Sequence, residues 1–204
     1  MNNTQSFDLY GFYRNILQSD NEELILSFVK YSRIVKVKKG EILFRPGNSG
    51  PSTVFLLDGV IKTFILSSDG TENTFAIYFK PGTGVAMTEE MINVPEIWCK
   101  TLTPCTLIEM IGQGPYELTK EFPELWEKLM YSWRPFYFGM MDKLRAGYTL
   151  TAKERYLWFV NKYGPLVDKI SLNEISLFLG IAPQSLSRIK NELAAEQNGA
   201  ARKK

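Results

Sequence analysis

The 204-residue sequence contains no histidine and only two cysteines, Cys99 and Cys105. Zinc or haem held by histidine is therefore excluded, and two thiols cannot supply the four protein ligands of an iron–sulfur cluster. The surrounding segment WCKTLTPCTLIEM is typical of strands, which favours buried structural thiols over a redox pair. We expect neither a metal nor a cofactor.

Long apolar stretches are also absent. No segment approaches the roughly 20 apolar residues of a membrane-spanning helix, and the N-terminal MNNTQSFDLYGF lacks the basic start and apolar core of a signal peptide. These absences predict a cytoplasmic protein.

The net charge of +2 is small, but charge is distributed unevenly along the chain. Residues 149–204 carry nine Lys or Arg against five Asp or Glu, whereas residues 1–148 carry fifteen against seventeen. The basic surplus lies at the C-terminal end, where it favours contact with nucleic acid without proving it.

The N-terminal half predicts helices followed by an antiparallel sheet. Residues 6–32 have helical spacing, with Ser19-Asp20 as the cap of a second segment. From Ile34 onward apolar and polar residues alternate. Turn signals recur at Pro46-Gly47, Asp58-Gly59, Asp69-Gly70 and Pro81-Gly82. These signals predict an antiparallel sandwich or barrel over residues 33–111. Its irregular segment, residues 82–98, is where a ligand site could lie.

A long helix with a heptad pattern is predicted after residue 114. Its apolar stripe comprises Trp126, Met130, Trp133, Tyr137, Met140, Leu144 and Gly147. Alternating spacings of four and three favour packing against the same helix of a second subunit, although a helix lying on its own sheet would have a similar stripe. Pro135 should kink or break this helix near residues 131–134.

A helix-turn-helix is predicted at residues 171–193. A capping box at Thr151 and Glu154 opens the preceding helix, which should stop at Gly164-Pro165. Two apolar runs with helical spacing then follow: Leu172, Ile175 and Leu179, and Ile181, Leu186, Ile189 and Leu193. Gly180 separates them, and the small Ser176 permits close helix approach. Residues 194–204 lack a core-forming side chain and should fray.

The second helix of this unit has a polar outer face. Its members are Gln184, Ser185, Ser187, Arg188, Lys190 and Asn191. Gln184 and Arg188 lie one turn apart near the helix start, where a recognition helix contacts bases; Arg can be bidentate to guanine and Gln to adenine. The alternative is a helical hairpin whose polar side is merely solvated.

This order of elements resembles the Crp/Fnr family, that of the cyclic-AMP receptor protein and the fumarate–nitrate regulator. The sheet-domain glycines Gly40, Gly47, Gly59 and Gly70 and the segment LGIAPQSLSRIKNEL carry the resemblance, which covers nearly the whole chain. It implies an α+β fold: an N-terminal antiparallel β-roll of the cyclic-nucleotide-binding, jelly-roll type, a dimerisation helix and an all-α helix-turn-helix domain. Because residues 194–204 cannot build a β-hairpin wing, the short members of the family are the best match.

The resemblance further implies a homodimeric transcription regulator. Residues 1–114 would form the sensor domain, 115–148 the dimerisation helix region and 149–204 the DNA-binding domain. Expected partners are double-stranded DNA with an inverted repeat and a second copy of the chain; RNA polymerase and a small-molecule effector are further candidates. On this match Gln184, Ser187 and Arg188 fall on base-reading positions.

The ligand segment departs from the family pattern. Cyclic-nucleotide binders carry a Gly-Glu pair for the ribose and an Arg-Ser pair for the phosphate, whereas this chain has Gly84-Val85 and Pro95-Glu96. Proline cannot neutralise a phosphate, and Glu96 would repel it. We therefore expect a pocket near Gly84, Val85, Glu96 and Trp98 that does not respond to cyclic AMP or cyclic GMP.

Two other functions were weighed against a DNA-binding regulator. A cupin-type enzyme would use a similar sheet, but its metals need histidines, and no Ser–Lys or Cys-centred catalytic set stands out. A ligand-binding module without DNA binding would require the helix-turn-helix pattern to be a coincidence of spacing. We therefore predict a regulator and not an enzyme.

Overall fold

The computed structural model of the chain describes residues 7–46, 53–86, 97–112 and 114–201. The chain divides into two compact units: unit 1 comprises residues 1–61 and 78–135, and unit 2 comprises residues 62–77 and 136–204. Residues 62–77 therefore group with the C-terminal helices, although the sequence places them among the strands.

Helices and strands occur in separate runs along the chain, as the α+β prediction requires. The strands are β1 (Ser32–Val37), β2 (Ile42–Phe44), β3 (Thr53–Asp58), β4 (Ile61–Leu66), β5 (Glu72–Tyr78), β6 (Gly84–Ala86), β7 (Trp98–Thr101) and β8 (Cys105–Met110). The helices are α1 (Leu9–Leu17), α2 (Glu22–Lys30), α3 (Pro115–Leu118), α4 (Leu125–Thr149), α5 (Ala152–Tyr163), α6 (Leu172–Leu179) and α7 (Pro183–Ala201).

The cap of α2 differs from the sequence prediction. Asn21 accepts a hydrogen bond from the backbone N–H of Leu24 at 3.1 Å and so caps the helix. The predicted cap at Ser19-Asp20 is wrong, because the Asp20 carboxylate pairs with the Arg14 guanidinium at 2.6 Å.

Antiparallel strands build the sheet of unit 1, as predicted. Four of them follow the order β1-β8-β3-β6, with Ser32 opposite Met110 and Phe55 opposite Ile108. β2 pairs with β7. Gly59 is required between β3 and β4, because its φ is +102° and an added Cβ would lie 2.5 Å from the Cys105 sulfur.

Among the described residues of unit 1, buried apolar side chains form one cluster between the strands and one under the helices. The cluster between the strands contains Leu43, Phe44, Val54, Leu56, Ile61, Val85, Cys99, Cys105 and Leu107. The cluster under the helices contains Tyr13, Leu17, Leu24, Ile25, Phe28, Phe55, Ile108, Met110, Leu118, Phe122 and Leu125. Burial of these apolar side chains supplies the main driving force for folding this unit.

Both cysteines are buried free thiols, which confirms the structural interpretation. Burial raises the pKa of Cys99 far above its ordinary value, and burial also raises the pKa of Cys105. Since the thiolate is the reactive form, both side chains are chemically inert packing groups at neutral pH.

The long helix α4 runs without interruption through Pro135. Of the predicted kink or break, the break is therefore wrong, and the kink stays a prediction. Proline removes one backbone donor, but the helix is held on either side of it, since Leu125 is fully buried and the ring of Phe136 packs against Phe75 with centroids 6.0 Å apart. The division between units 1 and 2 falls at Pro135.

The helices of unit 2 follow the predicted boundaries closely. The capping box at Thr151 and Glu154 opens α5, and a 3₁₀ turn at Gly164–Leu166 ends it. α7 continues to Ala201, so it extends over most of the tail that was expected to fray, and fraying stays a prediction. Alanine, glutamate and glutamine in this stretch are good helix formers, so the helix needs no apolar anchor there.

Asp142 fastens α4 to α5. Its carboxylate accepts hydrogen bonds from the Lys162 ammonium at 2.6 Å, the Trp158 indole at 3.1 Å and the Arg145 guanidinium at 2.8 Å. These donors, that of Lys162 above all, lower the pKa of Asp142 to about 2. The connection therefore persists at all but strongly acidic pH.

The neighbouring Lys143 faces the β4–β5 hairpin. Its ammonium donates to the carbonyls of Thr74 at 2.5 Å and Phe75 at 3.3 Å, and it lies 4.4 Å from the ring centre of Phe178. Burial lowers the pKa of Lys143 to about 8. A cation–π contact and two carbonyls thus only partly compensate the loss of water.

Replacing Lys143 by Met should alter the pH dependence of stability. The pKa of this lysine falls from 10.5 to about 8 on folding, so the unfolded chain binds more protons between these values, and stability rises with pH there. Thermal unfolding of Lys143→Met from pH 7 to pH 10.5 should lack that rise. Equal pH slopes for the two proteins would contradict the burial of this ammonium.

Candidate nucleic-acid interface

The helix-turn-helix is closed by Gly180 and Ser176. Gly180 adopts the left-handed conformation, with φ of 61°, and its N–H donates to the carbonyl of Ser176. Ser176 is 1% exposed, and its hydroxyl donates to the carbonyl of Asn173 at 2.7 Å. The glycine and the small serine therefore have the roles that their positions predicted, which confirms the motif.

An apolar interior holds the two helices together. Its buried members are Ile170, Ile175, Phe178, Leu179, Ile181, Leu186 and Ile189. Phe178 contacts the rings of Phe159 and Tyr163 on α5, with centroids 5.6 and 5.4 Å apart. The orientation of α7 is thus set by packing on one side, which leaves its other side to solvent.

The polar face of α7 is exposed. Gln184, Ser187, Arg188, Lys190 and Asn191 are exposed, and Ser185 is half-buried. The Arg188 side chain is 76% exposed, and its Nε atom lies 3.6 Å from a Glu192 carboxylate oxygen. An ion pair this long and this exposed is weak, so a phosphate or a base edge could displace Glu192 from Arg188.

Helix α4 carries large exposed apolar side chains at the heptad positions. The exposed fractions are 49% for Trp126, 46% for Met130, 37% for Trp133, 59% for Tyr137 and 52% for Leu144. Met140 is half-buried, while its neighbour Met141 is 47% exposed. Dimerisation through the stripe stays a prediction.

Three residues of the predicted ligand pocket are described by the structure, and they do not share one environment. Val85 is 5% exposed and belongs to the apolar cluster between the strands, so its side chain packs the core. Gly84 lies against the Phe55 ring, whose nearest atom would be 3.0 Å from an added Cβ. Trp98 is half-buried on β7. Pro95 and Glu96 lie outside the described residues, so the pocket stays a prediction.

A buried cluster in unit 2 was missed from the sequence. The Lys62 side chain is 0% exposed, and its ammonium lies 2.7 Å from a Glu72 carboxylate oxygen and 2.5 Å from one of Glu174. The Thr74 hydroxyl lies 3.4 Å from the same nitrogen. The lysine inside the apolar run VIKTFIL is the signal that could have indicated it, since buried lysines require partners.

In the described ranges, His, Cys, Asp and Glu residues form no group of three that could hold a metal ion. None of the helices described there is both long and apolar enough to cross a membrane.

Comparisons with known proteins agree with this architecture, although no protein-family model matches the sequence. The chain is 27% identical over 180 residues to the transcriptional activator protein Anr of Pseudomonas protegens, covering 79% of this chain and 72% of that protein.

Solved structures of low sequence identity share the fold. A regulator assigned to the Crp/Fnr family from Eubacterium rectale superposes with a TM-score of 0.72 at 16% identity, covering 92% of this chain and 88% of the other. The c-di-GMP-responsive regulator CLP of Xanthomonas campestris gives 0.69 at 15% identity, covering 86% and 92%. FixK2 of Bradyrhizobium japonicum gives 0.68 at 16% identity, covering 81% and 86%.

We expect neither cyclic AMP nor cyclic GMP to bind at micromolar concentrations. Val85 is a buried core residue where a ribose acceptor would be needed, and Pro95-Glu96 offers no cation for a phosphate. Isothermal titration of the folded protein measures this directly. Micromolar affinity for either nucleotide would contradict the assignment of residues 82–98.

Proposed function

We propose that this chain is a member of the Crp/Fnr family of regulators and acts as a homodimeric transcription regulator that binds double-stranded DNA through α7. The observation that carries the proposal is the exposed polar face of α7, held outward by an apolar helix-turn-helix interior. An apolar interior with one polar helix face is the arrangement with which such motifs enter the major groove.

The residues of α7 divide into two roles. Gln184 and Arg188 lie one turn apart in the first half of the helix, so they contact base edges. Lys190 holds a phosphate beside them. Ser187, which the family resemblance also places at a base-reading position, lies between the two roles, while Ser185 and Asn191 lie at the margin of the interface. The basic surplus of residues 149–204 adds long-range attraction for the DNA backbone.

Dimerisation through the α4 stripe gives the protein the two-fold symmetry that an inverted-repeat DNA site requires. Exposed aromatic and aliphatic side chains at heptad spacing are suited to a second copy of the same helix. Two α7 helices then enter successive major grooves about 34 Å apart, which predicts an inverted repeat with half-sites roughly one helical turn apart.

The remaining parts of the proposal concern the organisation and setting of the protein. Residues 1–114 act as the sensor domain, 115–148 as the dimerisation region and 149–204 as the DNA-binding domain, and the protein works in the cytoplasm. Its relatives are transcriptional regulators, and catalysis has no part in the proposal. RNA polymerase and a small-molecule effector other than cyclic AMP or cyclic GMP are proposed partners.

Arg188→Ala and Lys190→Ala should have different effects on DNA binding. Arg188→Ala should lose about 1–3 kcal/mol per half-site and relax preference at one base pair, because a bidentate base contact is removed. Lys190→Ala should weaken all sequences alike and flatten the salt dependence, because one phosphate contact is removed.

Binding to a selected duplex and to a scrambled duplex at two salt concentrations separates these effects. The duplex is obtained by selection with the unmodified protein from a randomised pool. If Arg188→Ala weakens both duplexes equally, Arg188 contacts phosphate and the bases are read elsewhere on α7. Failure to enrich any duplex would contradict DNA binding itself.

Tyr137→Asp should dissociate the dimer, because a carboxylate buried in an apolar helix seam without a partner costs several kcal/mol. Tyr131→Asp is the matched control: both tyrosines lie on α4 and are similarly exposed, 59% and 57%, but Tyr131 is off the stripe. Sedimentation at tens of micromolar distinguishes the two variants. The predicted dimer seam would be contradicted if the unmodified protein were monomeric, or if both variants lost the dimer to the same extent.

A further inference from the structure

The buried ammonium of Lys62 has acceptors from two different parts of unit 2. Glu72 and Thr74 belong to β5, the partner strand in the same hairpin. Glu174 belongs to α6, the first helix of the helix-turn-helix, and accepts at 2.5 Å. Of these three, only Glu174 connects the hairpin to the DNA-binding helices.

The carboxylate of Glu174 is directed away from its usual local partner. Ser171 and Glu174 have the spacing of a capping box, and the Ser171 hydroxyl does accept from the Glu174 backbone N–H. At the start of α5 the equivalent Glu154 returns to the backbone of Thr151 at 2.8 Å. In α6, by contrast, the Glu174 carboxylate accepts a hydrogen bond from the Lys62 ammonium. A residue placed at a capping-box position therefore makes a contact with a residue distant in sequence.

A second lysine fastens the same hairpin. Lys143 on α4 donates to the β5 carbonyls of Thr74 and Phe75 and lies over the Phe178 ring on α6. The hairpin turn is itself closed by the Ser67 N–H, which donates to the Thr71 carbonyl at 2.9 Å. A closed hairpin held at β4 by α6 and at β5 by α4 has little freedom to shift without moving α6.

We propose that Lys62 is a positioning residue for DNA binding: through its ion pair with Glu174 it sets the orientation of α6, and α6 in turn sets that of α7. The inference rests on the proposed function. α6 and α7 share a packed interior across Gly180, so a displacement of α6 moves Gln184 and Arg188 with it. Any partner or ligand that shifts the β4–β5 hairpin would change DNA affinity by this route.

The test compares two carboxylates that contact the same ammonium. Glu174→Gln weakens the bond between hairpin and helix, whereas the control Glu72→Gln weakens a bond within the hairpin. Glu174→Gln and Lys62→Met should lower affinity for the selected duplex by between about 5-fold and 150-fold, the range typical of coupled sites. The affinity of Glu72→Gln for the selected duplex should remain close to that of the unmodified protein.

Comparing affinity for the selected duplex with affinity for a scrambled duplex distinguishes a positioning role of Lys62 from a loss of folded protein. Lys62 is buried and Glu174 is an anion paired with it, so neither is placed to hold a phosphate, and both variants should keep the salt dependence and the affinity for a scrambled duplex. Adding Lys62→Met to Glu174→Gln should cost little more, because one interaction has been removed twice. Equal loss on selected and scrambled duplexes, full affinity of Glu174→Gln or additive losses would each overturn the proposal.

Amide hydrogen exchange gives a readout that needs no DNA. Exchange across Leu172–Leu179 should accelerate in Glu174→Gln but not in Glu72→Gln, because α6 loses its contact only in the first. Unchanged exchange in Glu174→Gln would refute the positioning role. If the unmodified protein enriches no duplex, the proposed function fails, while exchange still decides whether Lys62 holds α6.

Discussion

A buried ammonium must find acceptors inside the protein, and this requirement organises unit 2. Lys62 and Lys143 both lose most of their water on folding, and each recovers hydrogen bonds from an element distant in sequence. A hydrophobic contact tolerates small displacements, whereas a hydrogen-bonded ion pair fixes both distance and direction. The hairpin and the helices are therefore held in a defined arrangement as well as packed together.

The helix-turn-helix separates stability from recognition. Its interior side is apolar and makes the aromatic contacts of Phe178 with α5, so the polar side of α7 contributes little to holding the helix in place. The polar side chains there are exposed to solvent. The ion pair of Arg188 with Glu192 is long and exposed, and therefore weak. DNA can therefore displace water from this face without disturbing the apolar packing beneath it.

Helix α4 shows how tertiary context overrides a local signal. Pro135 predicts an interruption, yet the helix continues, because contacts on both sides of the proline keep the flanking turns in place. Asp142 further ties the second half of α4 to α5 through Lys162 and Trp158. One missing backbone hydrogen bond is small beside these contacts.

Local patterns were sufficient to predict the helix-turn-helix, the capping box at Thr151 and the antiparallel strands, because periodicity, caps and left-handed glycines act within a few residues. They also predicted the exposed face of α7, since a helix with one apolar stripe must expose the opposite side. The cap at Asn21, the continuity of α4 through Pro135 and the helical tail depended on competition between neighbouring signals. The pairing of Lys62 with Glu174 was decided by tertiary structure alone: the two residues lie far apart in the chain, and only folding brings a buried cation and a helix-terminal carboxylate together.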